Sequence, residues 1–219
     1  MDGAPQQLSL HLPESEISSS NMALAADFLY EIGAGRFTER SWSKSIGVKT
    51  ANVAEHTFRV THIAMWLAAQ EGANIDRVAS LCTIHDAPEI RGAELTPFQK
   101  AYVTFNEDKA LKDMVNGLPH AAYLVELVKE YKDRQTLESR VVKDADILDT
   151  VLELIELAAR GCNYLNSDET QTQIQIKAER YFTPSARALH AYVLAQPLAN
   201  IWRWFQKGES TFKTGEYGK

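Results

Sequence analysis

Two histidines and two aspartates of this chain are candidate ligands for a divalent metal ion. Two of these four residues, His85 and Asp86, are adjacent in the sequence. Pro88 disfavours helical geometry at Ala87, so the helix before the pair is expected to end there. A terminating turn directs both side chains toward one point, whereas neighbours in a continuous helix diverge by about 100°. The alternative is a core histidine followed by a polar residue at a helix end.

His56 is the second histidine candidate. It lies on the apolar face of a predicted helix with Val60, Ile63 and Leu67, where an unpaired imidazole is unfavourable. It is therefore either a hydrogen-bonded core histidine or a metal ligand. Two inward-facing histidines on consecutive helices, one of them beside an aspartate, favour a metal site. Neutral imidazoles and carboxylates are the usual ligands for Mn, Fe, Co, Ni or Zn.

The second aspartate, Asp146, lies in a predicted helix on a polar stripe with Asp149, Glu153 and Glu156. By periodicity alone this stripe is the solvated face of the helix. Valines and leucines flank it on both sides, however, so the helix is apolar over much of its circumference and is expected to lie deep in the fold. Two interpretations stay open: a solvated Asp146, or an Asp146 that faces a cleft.

The composition limits the classes of partner. Lys and Arg total 23 and Asp and Glu total 29, so the formal net charge is −6. This balance argues against a polymeric nucleic acid, which needs a basic stripe, but permits one nucleotide beside a metal ion. The two cysteines suggest no disulfide scaffold. No segment resembles a signal peptide or is apolar enough to span a bilayer, so we expect a cytoplasmic protein without a membrane partner.

Helical periods position these residues, and no alternating strand pattern of useful length occurs. We expect an all-α fold, a single bundle of about six to eight helices. Residues 1–20 are expected to form a leader of low order, 21–206 the helical domain and 207–219 a C-terminal tail. A polar loop is expected after the first helix. The predicted helices cover about 21–33, 52–71, 74–85, 97–115, 119–132, 137–160, 169–181 and 184–206.

Three segments together resemble the HD-domain phosphohydrolase superfamily, most closely its bacterial 5′-deoxynucleotidase branch: residues 52–56 (NVAEH), 84–89 (IHDAPE) and 142–146 (VKDAD). The resemblance covers about residues 40–160. It implies a helical domain that hydrolyses a phosphate monoester, with deoxynucleoside 5′-monophosphates as the expected small-molecule substrates, and a homodimer as in many members. It also implies one divalent ion (Co, Mn, Fe, Ni or Zn), bound by His56, His85, Asp86 and Asp146.

The resemblance also implies two catalytic acids. Glu89 matches the glutamate that the family associates with activation of the attacking water, and a carboxylate there can accept the water's proton. The alternative is a first-turn glutamate favoured by the helix dipole. Glu94 stands where the family commonly has an aspartate after a glycine, although the local order here is Gly92-Ala93-Glu94. A second acid there would protonate the leaving oxygen or orient the water.

Three further residues are expected to contact the substrate. Trp42 matches a tryptophan that packs on the sugar and disfavours a ribose 2′-hydroxyl. Arg40 stands one residue further from that tryptophan than the family's arginine, so it is either a phosphate contact or a solvated loop arginine. Lys143 matches the lysine of the last motif, with a surface lysine as the alternative. Between the His-Asp pair and Asp146 the only other histidine is His120, which favours a single ion.

Two other functions stay open at this point. The same site would also suit a nucleoside triphosphate or another phosphomonoester, because the segments around residues 40–42 and 92–94 depart from the family pattern. A non-enzymatic alternative is a helical regulatory or interaction module that a metal ion stabilises. Retention of Glu89 beside a complete set of ligand types argues against this module.

Overall fold

The computed structural model describes residues 18–162, 174–175 and 177–206. Within these residues the chain is all-α, as expected, and the β-type pairing there is one isolated bridge between Glu39 and Asn52. The expected leader up to residue 17, the tail 207–219 and, within the predicted helix at 169–181, residues 169–173 and 176 lie outside the described residues. No helix in the described part combines the length and apolar character needed to cross a membrane.

The helices run in chain order as α1 (Ser19–Gly33), α2 (Ser43–Ile46), α3 (Val53–Glu71), α4 (Ile75–Ile84), α5 (Glu89–Gly92), α6 (Pro97–Lys100), α7 (Glu107–Val115), α8 (Ala121–Asp133), α9 (Leu137–Ala159) and α10 (Pro184–Leu194). Seven of these described helices contain nine residues or more, in line with the expected bundle. Residues 174–175 and 177–178 are also helical, and two 3₁₀ segments follow α1 and α10 at Ala34–Phe37 and Leu198–Gln206.

Side-chain caps fix where the helices of the site begin. Asn52 accepts a hydrogen bond from the Glu55 amide while the Glu55 carboxylate accepts one from the Asn52 amide, a reciprocal pair that starts α3 one turn before His56. Asn74 caps α4 by accepting from the Arg77 amide, and α4 starts within one residue of the predicted start. The sequence therefore predicts the start of both helices from local chemistry alone.

Three boundaries differ from the expected ones. The helix predicted at 97–115 is divided into α6 and α7, because Asn106 caps a new helix by accepting from the Lys109 amide. The last helix ends at Leu194, since Pro197 has no amide hydrogen and cannot continue an α-helix. The loop after α1 contains the one-turn helix α2, and α1 itself begins inside the expected leader, at Ser19.

Helix α9 lies at the centre of the domain and packs against α3, α4, α8 and α10. Its apolar residues Val141, Val142 and Leu148 are fully buried, and they pack with residues such as Leu67 of α3 and Leu81 of α4. The expectation that this helix lies deep in the fold is confirmed. The middle of its polar stripe is consequently not a solvated face, since Asp149 is 1% exposed and Glu153 is 5% exposed.

Candidate active site

His56 enters the site from the first turns of α3 and is 1% exposed. Its Nδ1 lies 2.6 Å from Oδ2 of Asp149 on α9. This contact places the ring proton on Nδ1, because a carboxylate accepts hydrogen bonds, and it turns Nε2 toward the opposite side. Asp149 is itself held by Arg59, which also donates to both carboxylate oxygens of Glu156 at 2.9 Å.

His85 and Asp86 stand just past the last residue of α4, where the sequence predicts that the helix ends. The Nδ1 of His85 lies 2.7 Å from the carbonyl oxygen of Cys82, so Nδ1 donates and Nε2 keeps its lone pair. Asp86 Oδ2 lies 3.3 Å from Nε2 of His85 and 3.4 Å from Nε2 of His56. The turn thus brings the pair to one point.

Asp146 comes from α9 and faces the two imidazoles. Its Oδ1 lies 3.4 Å from Nε2 of His56. Its other oxygen, Oδ2, accepts hydrogen bonds from the Tyr131 hydroxyl at 3.1 Å and from Lys143 Nζ at 2.7 Å. Two donors therefore hold one oxygen and leave the other directed at the histidines, so the interpretation of Asp146 as cleft-facing agrees with the structure.

These side chains form a candidate metal site. One nitrogen of His56, one nitrogen of His85 and one oxygen of Asp146 lie within 4.8 Å of one another. Both Nε2 atoms are buried and have no hydrogen-bond partner in the described residues, although carboxylate oxygens lie at 3.3–3.4 Å. Buried polar atoms without partners are unfavourable unless a ligand satisfies them. Imidazole nitrogens and carboxylate oxygens are the donor set that a divalent transition metal prefers, so the residues present fit such an ion.

The charges of the cluster also favour a cation. Burial alone would lower the pKa of His56, but contacts with Asp146, Asp149 and Asp86 outweigh it and raise the pKa well above its usual value. Burial lowers the pKa of His85, which is therefore neutral and ready to act as a ligand. Burial would raise the pKa of Asp86, yet the two histidines lower it to about 2. The carboxylates that attract a proton to His56 would equally attract a metal ion.

The cluster opens into a cavity of about 870 Å³, and Glu89 lines it. Glu89 follows Pro88 in the first turn of α5, a helix that was not predicted, and this is the position that the helix-dipole alternative gives it. Its Oε2 is buried without a hydrogen-bond partner in the described residues. Burial raises the pKa of Glu89 to about 9, and the negative charges of Asp86 and Glu94 add to the rise. A divalent cation beside these carboxylates opposes that rise.

Arg40 and Glu94 occupy the same cavity and contact each other. Arg40 is 6% exposed, and its guanidinium lies 3.1 Å from Glu94 Oε2 and 3.4 Å from Asp86 Oδ2. It is therefore not a solvated loop arginine. Glu94 also accepts hydrogen bonds from the amide and the hydroxyl of Ser41, both at 3.1 Å. These contacts favour a role for Glu94 in positioning Arg40 over direct proton transfer.

Trp42 and Lys143 lie on the cavity wall as well. Trp42 packs against an apolar cluster that includes Val151, Leu154 and Leu157 of α9. The structure thus brings all nine sequence-predicted site residues to one place. His56 contacts Asp86 and Asp146, which line the cavity. The other site residues that line it are Arg40, Trp42, His85, Glu89, Glu94 and Lys143.

Sequence reasoning missed the residues that support the cluster. Asp149 and Arg59 hold His56, and Tyr131 holds Asp146, but none was expected to take part. A signal for Asp149 existed: it stands three residues after Asp146, on a helix whose remaining faces are apolar. Tyr131 had no such signal, because it reaches the site from another helix.

Comparison with known proteins agrees with this geometry. The family model of the HD domain matches residues 32–190. The chain belongs to the HD-domain family. Members of this family are metal-dependent phosphohydrolases.

Several known proteins are similar to this chain in sequence or in fold. The 5′-deoxynucleotidase YfbR of Escherichia coli O127:H6 is 30% identical over 157 residues, covering 64% of this chain and 77% of that protein. A conserved hypothetical protein from Pyrococcus furiosus superposes with a TM-score of 0.65 at 25% identity, covering 78% of this chain and 99% of the other. A predicted metal-dependent phosphohydrolase from Magnetospirillum magnetotacticum has the same fold, with a TM-score of 0.62 at 23% identity over 84% of this chain and 97% of its own.

Proposed function

We propose that this HD-domain protein is a metal-dependent phosphomonoesterase that acts on deoxynucleoside 5′-monophosphates. The proposal depends above all on two buried imidazole nitrogens without partners that converge with two carboxylates beside a cavity. That cavity also holds a buried arginine and a carboxylate outside the cluster. Similarity to the 5′-deoxynucleotidase of E. coli supports the choice of substrate.

The proposed metal ligands are His56, His85, Asp86 and Asp146. An ion held by them would polarise a phosphate oxygen and acidify water. The chain's own residues keep these donors ready. The Asp149 carboxylate and the Cys82 carbonyl each fix the tautomer of one histidine, and Tyr131 and Lys143 fix the carboxylate of Asp146.

Glu89 is the proposed general base. Its carboxylate has a free oxygen on the cavity wall, where it can accept a proton from the attacking water. The water oxygen forms a bond to phosphorus while the bond from phosphorus to the 5′ oxygen breaks. The proton removed from the water is returned to the leaving 5′ oxygen, so the products are a deoxynucleoside and inorganic phosphate.

Arg40 is the proposed phosphate contact. Its guanidinium carries five N–H donors in a fixed fork, and the ion pairs with Asp86 and Glu94 hold that fork at the cavity. A donor directed at the phosphate stabilises the negative charge that develops during transfer. Because Arg40 is buried and anchored, its orientation is set before the substrate binds.

Trp42 is the proposed sugar contact. Its indole packs on α9 residues and lines the cavity, so the ring is held in one orientation. A rigid aromatic face against the sugar leaves no room and no hydrogen-bond partner for a 2′-hydroxyl. Discrimination against an analogue with an extra hydroxyl is limited to about a hundredfold in such apolar contacts.

Phosphate release from a panel of nucleotides tests the function. The purified protein is loaded in turn with Mn²⁺, Co²⁺, Ni²⁺ and Zn²⁺ and given deoxy- and ribonucleoside 5′-monophosphates and deoxynucleoside triphosphates. Inorganic phosphate, pyrophosphate and tripolyphosphate are measured separately. We expect inorganic phosphate from deoxynucleoside monophosphates, with ribonucleotides poorer substrates.

Release of tripolyphosphate from triphosphates would instead assign the site to triphosphate hydrolysis. Absence of turnover with every metal and substrate, in protein that binds a metal ion, would favour the non-enzymatic module.

A further inference from the structure

The cavity next to the metal site carries more positive charge than the hydrolysis of one phosphate requires. Seven lysine and arginine side chains line it, against five aspartates and glutamates, although the whole chain has a net charge of −6. Three of the seven cations are ion-paired: Arg40 with Asp86 and Glu94, Lys132 with Glu107 and Asp108, and Lys143 with Asp146.

The other four cations of the cavity form no ion pair within the described residues: Lys100, Arg134, Lys177 and Arg180. Cations that share a cavity repel one another, and the repulsion is less screened at the partly buried Arg134 and Lys177 than at the exposed Lys100 and Arg180. Lys177 is partly buried, and burial lowers the pKa of its ammonium. An anion bound among these side chains would offset both the repulsion between the cations and the cost of burying the Lys177 ammonium.

Arg134 is held at the cavity wall by a cation–π contact with Tyr131. Its guanidinium stacks on the Tyr131 ring, 3.5 Å from the ring centroid, and the Tyr131 hydroxyl contacts Asp146. One guanidinium nitrogen, NH1, is buried without a hydrogen-bond partner in the described residues. Arg134 is therefore separated from the candidate metal site by the Tyr131 ring, and its NH1 group has no acceptor within the described residues.

The backbone at Arg134 adds an independent observation. Its φ is 54°, in the left-handed region that ends α8. Glycine or asparagine adopts this conformation with less strain than arginine. Strained residues are frequent at ligand-binding positions, where the side chain rather than the backbone is required.

We propose that Arg134 and Lys177, with Arg180 beside them, form a second anion subsite that binds a phosphate group other than the one hydrolysed. This inference rests on the proposed hydrolysis of a nucleotide phosphate in the same cavity. A 3′,5′-bisphosphate would remain within the proposed function, whereas a triphosphate would replace the monophosphate as the substrate. Its consequence is a substrate class: nucleotides with more than one phosphate group are preferred over simple monophosphates. The additional phosphate is either on the sugar, as in a nucleoside 3′,5′-bisphosphate, or in the 5′ chain, as in a triphosphate.

The test compares three substrates on the metal-loaded full chain: deoxyadenosine 5′-monophosphate, its 3′,5′-bisphosphate and its 5′-triphosphate. For each enzyme the measured quantity is the KM of the monophosphate divided by the KM of the other nucleotide. In the unmodified protein we expect a ratio of about ten for either the bisphosphate or the triphosphate, because a charge-assisted contact contributes about that factor. The nucleotide with the high ratio identifies the source of the second phosphate.

Variants assign the preference to the subsite. Lys177→Met and Arg134→Asn should bring the ratio close to one, and asparagine tolerates the backbone of residue 134. Lys177→Arg, which keeps the charge, should retain the ratio. Lys129→Met is the matched control, since Lys129 is 75% exposed and does not line the cavity.

Equal ratios in all variants, or equal KM values for all three nucleotides, would overturn the subsite. If no substrate is hydrolysed, the proposed function fails, and calorimetric titration with the bisphosphate and the triphosphate then tests the subsite alone. Binding that Lys177→Met weakens at least about fivefold supports the subsite, and binding insensitive to it, or absent, overturns it.

Discussion

The Nδ1 atom of His56 and the Oδ2 atom of Asp149 are 2.6 Å apart in the buried centre of the domain. This contact joins α3 to α9 and determines which imidazole nitrogen faces the candidate metal site. Arg59 neutralises the other oxygen of the same carboxylate. The orientation of one proposed ligand is therefore controlled by a residue that does not itself reach the cluster.

Asp149→Asn should weaken metal binding by about 10–100-fold, because an amide fixes the imidazole tautomer less reliably than a carboxylate does. Metal affinity is measured by calorimetric titration of the chelator-treated protein. Asp133→Asn, a change at an exposed aspartate of α8, is the control and should leave affinity unchanged. Unchanged affinity in Asp149→Asn would contradict the positioning role.

Glu89→Gln should lower kcat by about 10²–10⁴-fold with the metal retained, since it removes the base but none of the proposed ligands. The measurements are phosphate release and metal content of the same preparation. Glu107→Gln, also on the cavity wall but outside the cluster, is the matched control. Full activity in Glu89→Gln would exclude Glu89 as the base.

Glu94→Gln should raise KM more than it lowers kcat, because Arg40 loses one of its two ion-pair partners and is held less firmly in the free enzyme. Ser41→Ala, which removes one hydrogen bond to the same carboxylate, should give a smaller change of the same kind. A large loss in kcat alone would favour the original assignment of Glu94 to proton transfer.

Removal of the metal with a chelator should lower the melting temperature. Ligand at a hundred times its Kd stabilises the folded state by about 2.7 kcal/mol, which corresponds to roughly 5–10 °C in a domain of this size. The shift is followed by calorimetry with and without added Mn²⁺. Asp146→Asn should abolish most of the shift. A melting temperature of the unmodified protein that does not change with added metal would contradict the proposed metal site.

Asp144, two residues before Asp146, should matter for stability alone. Its carboxylate accepts hydrogen bonds from the amides of Phe182 and Thr183 at 2.8 Å and from the Thr183 hydroxyl at 2.6 Å. Asp144→Ala leaves these buried donors without a partner and should cost about 2–4 kcal/mol in the free energy of unfolding. Urea denaturation measures the loss. The surviving folded protein should keep its metal affinity.

Local chemistry in the sequence predicts the helices of the site well. Asn52, Asn74 and Thr183 each cap a helix that starts within one residue of the predicted start, because a cap depends only on neighbouring residues. The break between α6 and α7 was not predicted, although its cap, Asn106, is local chemistry of the same kind. Phe105, just before that cap, packs so closely on Gly92 that no Cβ atom fits at Gly92, a contact that no local pattern reveals.

The polar stripe of α9 marks the limit of pattern analysis. Periodicity cannot distinguish a row of carboxylates in water from a row paired with buried partners on another helix. Asp149 and Glu153 are buried because Arg59 and the Ala51 amide meet them, and both partners come from distant parts of the chain. Residue types and the resemblance together predicted the motif residues, whereas their supporting contacts required the structure.

The positions of the proposed ligands on α3, after α4 and on α9 also determine when the site can form. A ribosome releases both histidines well before Asp146, so the early chain lacks the last donor and the central helix that aligns the others. Capture of an ion at the proposed site would consequently follow docking of α9. Once bound, the ion would join three regions that are far apart along the chain and would oppose their separation during unfolding as a non-covalent cross-link.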